Sequence, residues 1–124
     1  MNQKTILYVE DNEFNRKIVR QLLAKTKYRL TEAADGEAGV AAALEAPPDL
    51  ILMDIQLPKI SGLDATRQLR ADARTAAVPI IVVTSFALSG DDQKARAAGA
   101  TAYLAKPYSP RELLAKIREI VPES

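Results

Sequence analysis

The stretch Asp49-Leu50-Ile51-Leu52-Met53-Asp54-Ile55-Gln56-Leu57-Pro58 constrains the chain most, because its apolar run is short and is bracketed by Pro47-Pro48 and Pro58. A run of that length predicts a strand rather than a helix. Its continuous apolar character, without alternation, predicts burial on both faces, as in a parallel sheet covered by helices. Asp54 then stands at the carboxyl end of the strand. In open α/β sheets ligands bind at that edge, so a carboxylate delivered there by a rigid element is a candidate for chemistry.

The rest of the chain repeats the same unit. Thr5–Val9 predicts a first strand ended by Glu10-Asp11-Asn12, and Asn12 can cap a helix in which Phe14, Ile18, Leu22 and Leu23 recur at helical spacing. Tyr28–Ala33 alternates as a second strand, and Asp35-Gly36 turns the chain into an alanine-rich helix reaching Ala46. Ser61-Gly62-Leu63-Asp64 opens a third helix with capping-box-like spacing, whose faces are set by Leu63, Thr66, Leu69 and Arg70. Val78–Thr84 predicts a fourth strand, Ser85–Gly90 a loop, and Ser89 with Asp92 the start of a helix that ends at Ala98-Gly99. Tyr103–Ala105 predicts a fifth strand closed by Lys106-Pro107. Ser109-Pro110-Arg111-Glu112 then starts a helix striped by Leu113, Leu114, Ile117, Ile120 and Val121. Five βα units predict an α/β fold, a parallel sheet with helices on both faces, in one domain over residues 1–124.

Composition narrows the chemistry. Cysteine and histidine are absent from the 124 residues, which excludes disulfides, Cys/His zinc sites, thiol nucleophiles and histidine acid–base catalysis. The formal net charge of +1 gives no field for nucleic acid or an anionic membrane. No h-region or bilayer-length apolar run is present, so a cytoplasmic protein is expected.

What remains is collected by position. Glu10 and Asp11 end strand one, Asp54 ends strand three, Thr84 ends strand four and Lys106 ends strand five. With strand order 2-1-3-4-5, strands one and three are neighbours at the topological switch point and three carboxylates converge. Two like charges about 4 Å apart repel by roughly 4 kcal/mol at an effective dielectric near 20, so the cluster calls for cations. Lys106 supplies one, and oxygen-only ligands favour Mg²⁺ or Mn²⁺ for the rest.

Glu10-Asp11, Asp54 within Leu-Met-Asp-Ile-Gln-Leu-Pro, Thr84-Ser85 and Lys106-Pro107 together resemble the CheY-like receiver domain of bacterial two-component response regulators. The resemblance covers essentially the whole chain and implies a flavodoxin-like, doubly wound (βα)5 sheet. The passage Met53–Leu63 is also similar to single-domain regulators of the DivK kind. Asp54 is then expected to accept a phosphoryl group from a phosphohistidine on a sensor histidine kinase or histidine phosphotransfer protein. The resemblance further implies Mg²⁺ held by Glu10, Asp11, Asp54 and the backbone carbonyl of Gln56. Lys106 and Thr84 would contact phosphoryl oxygens, and the Lys106-Pro107 peptide would be cis. On phosphorylation Thr84 would be drawn in and Tyr103 would rotate from an exposed position, altering the face made by helix four, strand five and helix five toward a downstream protein. The chain would catalyse only its own phosphorylation and dephosphorylation, without DNA or membrane contact, as a monomer or weak dimer.

Gln56 and Phe86 stand two residues beyond the acceptor and the switch threonine, where family members control access of water; Phe86 cannot orient one, and a long-lived phosphoryl state is expected. No DNA-binding domain is expected after residue 124. The alternative is a receiver module from a hybrid histidine kinase, or a passive phosphate sink or adaptor. A haloacid-dehalogenase-type phosphatase would need an acid where Gln56 stands, Glu10-Asp11-Asn12 would repel an FMN phosphate, and a P-loop is absent.

Overall fold

The computed structural model describes residues 3–84 and 91–123. Strand and helix alternate as β1 (Thr5–Val9), α1 (Glu13–Ala24), β2 (Arg29–Ala33), α2 (Gly36–Glu45), β3 (Leu50–Asp54), α3 (Gly62–Ala71), β4 (Ile80–Thr84), α4 (Asp91–Ala98), β5 (Ala102–Ala105) and α5 (Pro110–Ile120). The strands form one parallel sheet in the order β2-β1-β3-β4-β5. This is the expected flavodoxin-like arrangement, with the order reversing between β1 and β3. Among the described residues no helix is long and apolar enough to cross a membrane.

The sheet is built as the unbroken apolar runs require. Every residue of β3 and of β4 is buried. Side chains alternate between faces with period two. Ile6, Tyr8, Leu50, Leu52, Ile81 and Val83 join Val19 and Leu23 of α1 and Leu113 and Ile117 of α5 in one core cluster. Leu7, Val9, Ile51, Met53, Ile80 and Val82 join Val40 and Ala43 of α2, Ala65 and Leu69 of α3, and Ala95 of α4 in the other. Two helices thus cover one face and three the other.

Local signals mostly act where the sequence places them. Asn12 accepts from the Asn15 N–H at 2.9 Å, Asp35 from Ala38 at 2.7 Å and Ser61 from Asp64 at 3.1 Å. Ser109 and Glu112 form a complete capping box with Pro110 in the first turn. At α3 the box is half made: the Asp64 carboxylate pairs with Arg67 at 2.7 Å, being too short to reach back as a glutamate would. β2 begins at Arg29, since the buried Tyr28 turns its hydroxyl to the Val121 carbonyl. β4 begins at Ile80 after Pro79, and β5 at Ala102. The stripe expected on α1 is displaced: Val19 and Leu23 are the buried pair, while Phe14 is 69% and Ile18 39% exposed. Phe14, Ile18 and Leu22 follow one another at i, i+4, i+8 along the flank of the helix, beside the row that meets the sheet.

The loop after β3 doubles back on its own strand. The Gly62 N–H donates to the Ile55 carbonyl at 2.8 Å, and a Cβ on Gly62 would lie 1.9 Å from the Asp54 carbonyl oxygen. Only glycine lets the N-terminus of α3 rest on the backbone of Asp54. Gly62→Ala is therefore expected to cost about 2 kcal/mol or more by forced backbone displacement, measured as a lowered urea midpoint. An unchanged midpoint would show that the contact is relieved elsewhere.

A pH dependence follows from the buried phenols. Burial, then the neighbouring Tyr108 and Glu10, push Tyr8 well above the ordinary tyrosine value, and burial pushes Tyr28 up. Their folded-state values exceed the unfolded value near pH 10, so their contribution is complete below about pH 10 and is lost as pH rises beyond it. Urea midpoints are expected to fall progressively as pH rises above about 10, with a shallower fall in Tyr28→Phe.

Candidate functional site

Register carries the acidic groups together. Val9 pairs with Met53, so Glu10 and Asp54 leave β1 and β3 side by side at the carboxyl edge. Carboxylate oxygens of Glu10, Asp11 and Asp54 lie within 4.8 Å of one another. Glu10 and Asp54 are buried, at 1% and 5% exposure, and Asp11 is exposed. From β5, Lys106 Nζ donates to Glu10 Oε1 and to Asp54 Oδ2, both at 3.3 Å. The Lys106 backbone N–H donates to the Thr84 carbonyl at 2.6 Å, fixing the lysine against the end of β4. The Lys106-Pro107 peptide is cis, as expected.

The buried carboxylates are held by converging donors. Glu10 Oε1 accepts from the Tyr8 hydroxyl at 3.2 Å and from Asn15 Nδ2 at 3.4 Å as well as from Lys106, while Oε2 accepts from the Asn12 N–H at 3.1 Å. Arg16 donates to the Glu10 carbonyl at 2.6 Å, and the Gln56 N–H to Asp54 Oδ1 at 3.2 Å. Burial pulls the Lys106 ammonium down, but attraction by Asp54 and Glu10, with their hydrogen bonds, more than offsets it and leaves the group above its usual value. Three carboxylates against one ammonium leave net negative charge in a partly enclosed space. The donor set, all oxygen, fits a hard divalent cation.

Strand parity divides the remaining residues. Asp54 and Lys106 continue the alternation of Leu52 and Leu104, on the α1/α5 face, whereas Thr84 and Tyr103 continue that of Val82, on the α2–α4 face. Thr84 is buried at the end of β4. Tyr103 is half-buried and packs against the α2–α4 cluster, rather than occupying the exposed position expected. Gln56 is exposed. Ser85, Phe86 and Ser89 lie outside the described residues, and with them the expected shielding by Phe86 and cap at Ser89.

Sequence reasoning missed the support around Glu10 and the surface beside it. Tyr8 stands two residues before Glu10 on the same strand face, the signal that could have linked them. Asn15 and Arg16 lie in the first turn of α1, facing back. Next to Lys106 an apolar depression of about 500 Å³ is lined by Ile18, Leu22, Pro107, Tyr108, Pro110 and Leu113.

Comparison with known proteins gives the architecture its relatives. Residues 6–118 match the family model of the response regulator receiver domain. The chain is 41% identical over 115 residues to the polar-differentiation response regulator DivK of Brucella ovis, covering 93% of this chain and 94% of that one. The receiver domain of sensor histidine kinase PA1611 from Pseudomonas aeruginosa, solved with a magnesium ion coordinated in its active-site cleft, superposes with a TM-score of 0.89 at 39% identity, covering 96% and 98% of the two chains. The receiver domain of Saccharomyces cerevisiae Ssk1, solved with the histidine phosphotransfer protein Ypd1, gives 0.86 at 33% identity, covering 95% and 88%. The carboxylates converging at the switch point and these likenesses over nearly the full length agree: the chain belongs to the response regulator receiver domain family, the phosphoacceptors of two-component signalling.

Proposed function

We propose that Asp54 is the phosphoacceptor, taking a phosphoryl group from a phosphohistidine on a sensor histidine kinase or histidine phosphotransfer protein in the cytoplasm. The observation that carries this reading is Lys106 Nζ, 3.3 Å from both Asp54 Oδ2 and Glu10 Oε1. An ammonium held there by two carboxylates is in place to meet a phosphoryl oxygen as one of them becomes an acyl phosphate. Glu10, Asp11, Asp54 and the backbone carbonyl of Gln56 would hold Mg²⁺. A bound Mg²⁺ supplies neutralisation of the equatorial oxygens of the transferring group.

The residues perform the remaining tasks. Asp54 offers a carboxylate on a rigid strand, since β3 is buried throughout. Its oxygen forms a bond to phosphorus as the P–N bond of the donor breaks, and the released electron pair stays on the imidazole nitrogen, which takes up a proton from solvent. Phosphoryl transfer is mostly positioning and charge stabilisation, and this site provides both. Lys106 follows one phosphoryl oxygen and the Thr84 hydroxyl donates to another. The chain thereby catalyses its own phosphorylation, and hydrolysis at Asp54 reverses it.

The donor is proposed to dock on α1, where Phe14 and Ile18 present apolar surface beside the depression that reaches Lys106. The receiver domain of Ssk1 has been solved in complex with the histidine phosphotransfer protein Ypd1. Output is proposed through the α4–β5–α5 face. Thr84 and Tyr103 share a sheet side, so movement of Thr84 toward a phosphoryl group changes the packing room of the half-buried Tyr103 ring.

Two tests follow. With Mg²⁺ and acetyl phosphate, intact-mass analysis is expected to find one added phosphoryl group on wild type, and none on Asp54→Asn or after chelation. Equal modification of Asp54→Asn would contradict the assignment. In divalent-free buffer Asp11→Asn relieves repulsion at the exposed rim of the cluster, and is expected to be more stable than wild type by about 1 kcal/mol. The same variant is expected to lose most of the rise in melting temperature that Mg²⁺ gives wild type. Lower stability without divalent ions would show that Asp11 serves another contact.

A further inference from the structure

Tyr8 is an unusual residue to find under an acidic site. It is 1% exposed and belongs to the core cluster beneath α1 and α5. Its hydroxyl is not left in that apolar setting. It donates to Glu10 Oε1 at 3.2 Å, from the position two residues earlier on the same strand face. A buried hydroxyl without an acceptor costs free energy, and a buried carboxylate needs donors, so the two groups answer each other's requirement.

The distribution of donors on Glu10 gives the contact its consequence. Among the described residues Oε1 takes Tyr8, Asn15 and Lys106, whereas Oε2 takes the Asn12 N–H alone. Oε2 therefore keeps a lone pair for a further partner. Of the three donors on Oε1, the Lys106 ammonium is shared with Asp54. The Asn15 amide is the longest contact, at 3.4 Å. The Tyr8 phenol sits on a central strand with a ring locked by the core. It is the donor least able to move, and so the one that keeps the carboxylate from rotating about its last torsion.

We propose that Tyr8 is a positioning residue for the divalent-cation site, its hydroxyl fixing the Glu10 carboxylate in the orientation that presents Oε2 to the cation. This rests on the reading of Glu10, Asp11 and Asp54 as that site. Hydrogen-bond partners of ligating groups orient the ligand, and their loss typically weakens metal affinity about 10–100-fold. Because Asn12, Asn15 and Lys106 remain on Glu10, the lower end of that range applies.

The test is Mg²⁺ binding by isothermal calorimetry on wild type, Tyr8→Phe and Tyr28→Phe. Tyr28→Phe also deletes a buried phenol hydrogen bond, to the Val121 carbonyl, but far from Glu10. Tyr8→Phe is expected to raise the Mg²⁺ dissociation constant about tenfold, and to reach a phosphorylation rate within about twofold of wild type once Mg²⁺ is saturating. Tyr28→Phe is expected to bind Mg²⁺ as wild type does, whatever its stability. Unchanged or tighter binding by Tyr8→Phe overturns the positioning role, as does an equal loss in both variants. A wild-type chain that binds no Mg²⁺ overturns the cation site itself, and the positioning role with it.

Discussion

Lys106 between Glu10 and Asp54 is the interaction on which the rest of the site depends. Two buried carboxylates on adjacent strands would repel by several kcal/mol at an effective dielectric near 20. The ammonium 3.3 Å from each offsets much of this. Its placement is the product of the whole topology: β1 and β3 must be neighbours, and β4 must hold β5 in register through pairs such as Thr84 with Ala105. The Lys106 N–H to Thr84 carbonyl bond completes the chain of constraints. Among the described residues the contacts of Lys106 Nζ are to Glu10 and Asp54, and Asp11, exposed beside them, adds a third carboxylate at the rim.

Under the proposed reading the sheet also separates chemistry from response. Glu10, Asp54 and Lys106 belong to the α1/α5 side, where the apolar depression opens. Thr84 and Tyr103 belong to the other side, with α4. A group arriving from the α1 side can reach Asp54 without disturbing the α2–α4 packing, and under the proposed reading only the pull on Thr84 carries the event across the sheet. Period-two alternation is the physical origin of this division.

Much of this was legible in the sequence because strong local rules and burial coincide there. Unbroken apolar runs identified β3 and β4, and acidic or hydroxyl residues after strands identified Glu10, Asp54 and Thr84. Ser109, Pro110 and Glu112 announced α5 with a complete capping box. Less legible was whatever depends on which flank of a helix meets the sheet. Phe14 and Ile18 have helical spacing, yet they flank the buried row of Val19 and Leu23 and face outward. The half-buried state of Tyr103 reflects packing between helices and strand that periodicity does not encode. Tyr8 is hidden for the opposite reason: its apolar ring satisfies the strand pattern, and only the folded chain brings its hydroxyl against Glu10. The close approach of Gly62 to the Asp54 backbone likewise needs the folded loop to become visible.

The most direct measurement of the central claim is a crystal structure of the chain with Mg²⁺ and beryllofluoride, a mimic of the phosphoryl group. The account predicts beryllium bonded to an Asp54 carboxylate oxygen, a fluorine within hydrogen-bond distance of Lys106 Nζ, and the cation among Glu10, Asp11 and Asp54. Beryllofluoride bound at another carboxylate, or Asp54 modified with Lys106 turned away and no cation beside it, would contradict the account.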